Sequence, residues 1–163
     1  MKTVWFIRHA KSSWDHAELR DFYRPLNHRG QRDAPVMARF LREKGLHPDL
    51  LLSSPAVRAL QTARHFAAAF DIPDIQEEPR IYEATPSMVL SVIQELEDTR
   101  QMVFVFGHNP AFHELANCFA GEALPNVPTC GIFRVDAEVA RWRDFSCATG
   151  RRTAFFYPKQ FQL

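Results

Sequence analysis

The sequence predicts an α/β domain, a three-layer α/β/α sandwich whose mostly parallel sheet carries at least one antiparallel strand and has no inserted cap domain. Three observations lead there. Short apolar runs at Val4–Ile7, Leu50–Leu52 and Met102–Phe106 have the length of buried strands. The stretches between them carry apolar residues at helical spacing, and this strand–helix alternation is the pattern of a layered fold. The later segments Ile132–Val135, Trp142–Cys147 and Thr153–Tyr157 read as two or three further strands, joined too tightly for crossover helices, so antiparallel pairing is expected among them. A chain of 163 residues, 46% of them hydrophobic, can bury one substantial core, which makes 1–163 a single domain.

The elements follow in order. After the first strand, residues Lys11 to Arg24 show no period and read as a loop lying over the strand end. Asn27 is placed to cap a helix whose apolar members Met37, Phe40 and Leu41 share a face, and Gly45 is its natural stop. Pro35 removes one backbone donor inside that helix, which predicts a kink or a restart capped by Asp33. Ser54-Pro55 then reads as a cap followed by proline at the first helical position, with Ala59, Leu60, Ala63, Phe66, Ala67 and Phe70 continuing the helix. Ile75–Glu77 fits an edge strand. Thr85-Pro86 repeats the cap-plus-proline signature ahead of Met88, Val89, Val92, Ile93 and Leu96, and Asn109-Pro110 repeats it again before a helix closing at Gly121. Several helix N-termini, each with unpaired N–H groups, are thus expected near strand ends, an arrangement that favours anions.

Lysine plus arginine exceed aspartate plus glutamate by only 20 to 19, so no global field draws in nucleic acid or an anionic membrane surface. Any anion site must be local. No apolar segment approaches the roughly 20 residues that span a bilayer, and the first apolar stretch ends at Arg8 without a cleavage-type sequence, so a soluble, cytoplasmic protein is expected. Cys118, Cys130 and Cys147 are odd in number and lack Cys-x-x-Cys spacing, which predicts reduced, mostly buried thiols rather than a disulfide framework or zinc knuckle.

The chemistry is concentrated at the strand ends. Arg8-His9 directly follows the first apolar run, His108-Asn109-Pro110 directly follows Met102–Phe106, and Arg58 follows the third strand end. Parallel strands would deliver all four side chains to the carboxyl edge of one sheet, where open α/β proteins build their sites. Two planar guanidinium groups suit bidentate grip on a phosphoryl group. His9 is the candidate nucleophile, since a neutral imidazole attacks phosphorus and later leaves easily. His108 would donate to a phosphoryl oxygen, and Glu83 is the candidate proton donor to the leaving group.

Taken singly, each residue has a blander reading. A histidine at a strand end is more often a hydrogen-bonded structural residue, Arg58 alone would pair with a carboxylate, and His108 alone would cap the helix that Pro110 begins. Glu83 is equally explained as the ion-pair partner of Arg80, and Asp15, Glu18 or Asp21 on the loop are alternative acids. It is the joint placement that points to phosphoryl chemistry. No Walker-type loop and no Cys-x5-Arg loop is present, and His108 and His113 lie five apart on different helix faces, so neither a cofactor nor a metal is expected.

With these residues in view, the chain resembles the histidine phosphatase superfamily, the phosphoglycerate mutase-like group. Phe6 to Ser12 is similar to its Arg-His-Gly signature, with Ala10 in place of the glycine. Ser53 to Ala63 is similar to its second arginine block, and Gly107 to Pro110 to its second histidine block. The short length and the segment Arg24 to Gly30 are similar to the SixA-type phosphohistidine phosphatases. The resemblance implies a sheet with helices on both sides, a phospho-His9 intermediate and a phosphate pocket of Arg8, Arg58 and His108. Three functions follow as expectations: a metal-independent phosphatase acting on phosphohistidine in a protein partner, a small-molecule phosphomonoesterase, or a phospho-ligand binding module that has lost turnover.

Overall fold

The computed structural model describes residues 1–161. Strands β1 (Lys2–Arg8), β2 (Leu50–Ser53), β3 (Gln76–Glu77), β4 (Met102–Gly107), β5 (Ile132–Ala137) and β6 (Gly150–Phe156) form one sheet in the order β3-β2-β4-β1-β5-β6. The first four are mutually parallel, while β5 runs antiparallel to β1 and β6 antiparallel to β5. The short tail connections of the sequence thus produce the antiparallel edge that was expected.

Both faces of the sheet are covered. Helices α1 (His28–Arg42) and α2 (Val57–Ala69) bury Met37, Leu41, Ala63 and Phe66 against Trp5, Ile7 and Phe106. On the other face, α3 (Pro86–Gln94) and α4 (Ala111–Cys118) bury Val89, Ile93, Phe112 and Leu115 against Val4, Phe6 and Val105. Because successive residues of a strand point to opposite faces, a strand covered on both sides must be apolar throughout, and this explains the unbroken run Val4–Ile7. Phe6 stacks on Phe133 at 4.8 Å and meets Phe112 edge-on at 5.5 Å. Truncating such a ring to alanine costs about 3–5 kcal/mol. Among the described residues, no helix is long and apolar enough to cross a membrane.

The sequence-based expectations and the structure differ at several points, some through tertiary contacts and some through local ones. Asn27 and Thr85 cap as expected, accepting from the N–H groups of Gly30 and Met88. Ser54 and Asn109 do not: α2 begins only at Val57 and α4 at Ala111, neither with a side-chain cap. The Ser54 hydroxyl is turned to His108, and the Asn109 amide donates to the carbonyl of Val127. Helix α1 runs unbroken through Pro35, with buried Asp33 paired to Arg29 and Arg32 rather than capping a restart. The expected strand at Trp142–Cys147 is a short 3-10 turn, Trp142–Asp144, followed by a second turn in which the Thr149 hydroxyl donates to the Asp144 carbonyl. The thiol expectation is also corrected. Cys118, at the end of α4, and Cys147 form a disulfide, and only Cys130 is a free, buried thiol.

Candidate active site

The topology brings the two histidines together. In the parallel pairing of β1 with β4, Arg8 lies opposite Gly107, so the next residue of each strand, His9 and His108, emerges at the same carboxyl edge. The backbone of His9 is held from both sides, its N–H donating to the Gly107 carbonyl at 3.0 Å and its carbonyl accepting from Cys130 at 3.0 Å. The imidazole rings of His9 and His108 sit with centroids 5.2 Å apart. Ser54, at the end of β2, is tied to the same edge by its N–H donating to the Phe106 carbonyl.

His9 is buried, and its Nδ1 lies 2.8 Å from the carbonyl oxygen of Ala10. A carbonyl only accepts, so Nδ1 carries the hydrogen and Nε2 keeps its lone pair. Burial, followed by the electrostatic repulsion of His108, Arg58 and Arg8, pushes the imidazole well below its usual range, outweighing the opposing Ala10 hydrogen bond. His9 is therefore neutral at physiological pH, with its nucleophilic nitrogen uncommitted. Ala10 does not need the conformational freedom of glycine, since it is not among the residues with positive φ.

The surrounding groups are donors. Arg8 uses Nη1 to bind the Val127 carbonyl at 3.0 Å, Arg58 uses both Nη atoms on Asp21, and the Nε of each is buried without a partner. His108 Nε2 lies 2.7 Å from the Ser54 hydroxyl, whose oxygen also accepts from the Ala56 N–H. With the Ser54 hydroxyl donating to Nε2, the ring hydrogen of His108 sits on Nδ1, which is buried and unpartnered. Burial foremost, then Arg58, hold His108 down to about 3, with Asp21 offsetting part of the effect and Arg8 and Arg24 adding to it. Three of the buried polar atoms without partners thus belong to Arg8, Arg58 and His108. A buried N–H without an acceptor is costly, and each of these three would gain from an anionic oxygen brought within reach.

The loop from Lys11 to Arg24 contributes more than a cover. Asp21, on a 3-10 turn (Asp21–Tyr23), binds Arg58, Arg24 and the Tyr82 hydroxyl. Arg24 is buried, stacked at 3.6 Å over the exposed Trp14 ring, and hydrogen-bonded to Ser12 and Ser13. The Tyr82 ring meets His108 edge-on at 5.7 Å. The turn is anchored where α1 begins: the Asn27 N–H donates to the Lys11 carbonyl, and a Cβ on Gly30 would lie 2.2 Å from that same oxygen. Tyr82 carried no local signal of a site role in the sequence, and Ser54 read there as a helix cap within the arginine block.

Glu83 stands in a turn between a 3-10 segment (Pro79–Ile81) and α3, exposed and with positive φ. It is not the partner of Arg80, which binds Glu78 and Glu95 instead. Its neighbour Tyr82, not Glu83 itself, makes the contact with His108. The loop carboxylates Asp15, Glu18 and Asp21 are all exposed, but Asp21 reaches Arg58 and Tyr82 whereas Glu18 faces His16.

A family model described as histidine phosphatase superfamily (branch 1) matches residues 4–87, which span β1, α1, β2, α2 and the start of α3. The chain belongs to the histidine phosphatase superfamily. An uncharacterized protein of Mycobacterium tuberculosis (strain H37Rv) is 36% identical over 163 residues, covering 94% of this chain and all of that one. Among solved structures, an Agrobacterium tumefaciens protein assigned as a phosphohistidine phosphatase SixA is 31% identical, with a TM-score of 0.82 over 96% of this chain and 98% of that one. The protein histidine phosphatase SixA complexed with tungstate has a TM-score of 0.83 at 24% identity, covering 98% of this chain and 99% of that one, a likeness of fold.

Proposed function

We propose that the protein is a metal-independent phosphatase that works through a phosphohistidine intermediate on His9 and removes the phosphoryl group from phosphohistidine in a protein partner. The observation that carries this reading is the neutral, oriented imidazole of His9 beside the unpartnered donors of Arg8, Arg58 and His108. In the first step, His9 Nε2 attacks phosphorus and the bond from phosphorus to the substrate nitrogen breaks, the departing imidazole taking its proton from solvent. Arg8, Arg58 and His108 donate to the equatorial oxygens as charge spreads over them. In the second step, water attacks phospho-His9, inorganic phosphate leaves and the neutral imidazole returns.

An ester oxygen is a poorer leaving group than an imidazole and gains more from a proton. Glu83, whose side chain is exposed beside Tyr82, is proposed as that donor, so Glu83→Gln should slow phosphomonoesters more than phosphohistidine. A protein substrate is supported by the open, aromatic rim at the loop, where Trp14 and Tyr23 are 72% and 54% exposed, and by the similarity to SixA-type proteins. The test is to mix the protein with a phosphohistidine-bearing protein labelled in its phosphoryl group and, separately, with small phosphomonoesters, quench rapidly and map the label. Transient label on His9 with faster release from the protein substrate is expected. Stable binding with neither label nor turnover would reduce the protein to a phospho-ligand binding module.

A further inference from the structure

Asp21 is the meeting point of three parts of the chain. Its carbonyl accepts from Arg58 Nη1 at 2.7 Å and its Oδ2 from Arg58 Nη2 at 2.9 Å, while the same Oδ2 accepts from the Tyr82 hydroxyl at 2.8 Å and Oδ1 from Arg24 Nε at 3.2 Å. Arg58 arrives from α2, Tyr82 from the turn before α3, and Arg24 from the loop itself. We propose that Asp21 and Tyr82 form a positioning pair for the phosphoryl site: the carboxylate grips the outer edge of Arg58 and, through the phenol, the ring beside His108, leaving Arg58 Nε and His108 Nδ1 turned to the transferring group. This rests on the phosphatase reading above.

The geometry separates this role from two others. A carboxylate that plugged the phosphate site would consume the donors the phosphate needs, yet Asp21 takes only the Nη groups of Arg58 and leaves Nε unpartnered. Asp21 and a phosphoryl group can therefore hold one guanidinium at once. A general acid must be protonated before it can give, whereas burial of Asp21 is outweighed by the hydrogen bonds from Tyr82 and Arg58, which lower it to about 2. It stays ionised. Its charge also matters: Arg8, Arg24 and Arg58 bring three positive charges, and one carboxylate leaves a balance of two, the charge of a phosphoryl dianion.

The experiment compares Asp21→Ala, Asp21→Glu, Tyr82→Phe and the double variant Asp21→Ala/Tyr82→Phe with wild type, after circular dichroism confirms folding. Hydrolysis of p-nitrophenyl phosphate and phenyl phosphate is measured with kcat and KM separated, and tungstate binding is measured by calorimetry. Expected are a loss in kcat of about 10- to 100-fold for Asp21→Ala, equal for both esters, partial rescue by Asp21→Glu, and a smaller loss for Tyr82→Phe. The double variant should be no slower than Asp21→Ala, because the two side chains act as one unit. A loss in Asp21→Ala that grows with the leaving-group pKa would make Asp21 the acid and overturn the proposal, as would unchanged kcat in folded protein. Should wild type hydrolyse neither ester, the phosphatase reading is judged by the labelled phosphohistidine protein alone, and tungstate decides the positioning role: about tenfold weaker binding by Asp21→Ala supports it, and unaltered binding refutes it.

Discussion

The backbone N–H of Ala10 donates to the hydroxyl of Thr62 at 2.9 Å, and that hydroxyl donates in turn to the carbonyl of Arg58 at 2.8 Å. One buried hydroxyl therefore fixes the peptide just after His9 relative to the helix turn that carries Arg58. Thr62→Val keeps the shape but leaves the Ala10 N–H without an acceptor. We expect a loss of about 1–3 kcal/mol in stability and roughly tenfold in kcat/KM, with recovery in Thr62→Ser. Urea titration beside steady-state kinetics checks this, and full activity in Thr62→Val would show that the link is dispensable.

His9→Ala should abolish both turnover and covalent label while leaving tungstate affinity within about fivefold of wild type, because the arginines and His108 make the pocket and His9 makes the bond. Calorimetry on the variant gives the answer. Residual turnover near the wild-type rate is incompatible with the covalent route.

Stability should fall as the medium is acidified below pH 6.5. His9 and His108 are neutral in the folded chain far below the value they take when unfolded, well below for the first and to about 3 for the second. Over that window the unfolded state binds protons the native state refuses, so stability held above pH 6.5 drains away as pH drops towards 3. For His108 alone the difference between pH 6 and pH 4 is about 2 kcal/mol. Thermal melts of wild type and His108→Asn across this range should diverge on the acid side, and parallel curves would contradict the assigned protonation states.

The Cys118–Cys147 bond closes a sequence separation of 29 residues between the far end of α4 and the segment after Trp142. By loop-closure entropy, Cys118→Ser or reduction should lower stability by about 3.5 kcal/mol. Because α4 meets the site at its opposite end, turnover at 25 °C should survive. Cys130, whose thiol is pushed up by burial, should resist alkylating reagents until the chain unfolds. Thiol counting with and without denaturant, together with melting curves, covers both statements.

How legible this molecule was in its sequence depended on the range of each interaction. Apolar runs revealed the parallel core strands because burial on both faces leaves no polar positions, and Asn27 and Thr85 could be read because a cap is settled within one turn. Ser54 and Asn109 carry the same local signature, but their side chains are taken by His108 and Val127, 54 and 18 residues away, and no local rule anticipates that. Trp142–Cys147 has strand-like composition but is bent by turn hydrogen bonds, and the cystine depends on how α4 docks. Within the site, Arg8, His9 and His108 were legible because strand ends in a parallel sheet share an edge, and Arg58 because α2 starts just after β2. Tyr82 was not, since its partners Asp21 and His108 are assembled only by the fold.

Because β1 and β4 are immediate neighbours, the separation of the two imidazoles is set by main-chain hydrogen bonding at the middle of the sheet, the most rigid ruler the molecule has. The aperiodic stretches 11–24 and 119–131 close on it from outside the sheet, Asp21 gripping Arg58 and the Cys130 N–H holding the His9 carbonyl. Substitutions at the exposed positions 15–19 should therefore alter what meets the rim of the site while the spacing of the two rings stays fixed by the strands.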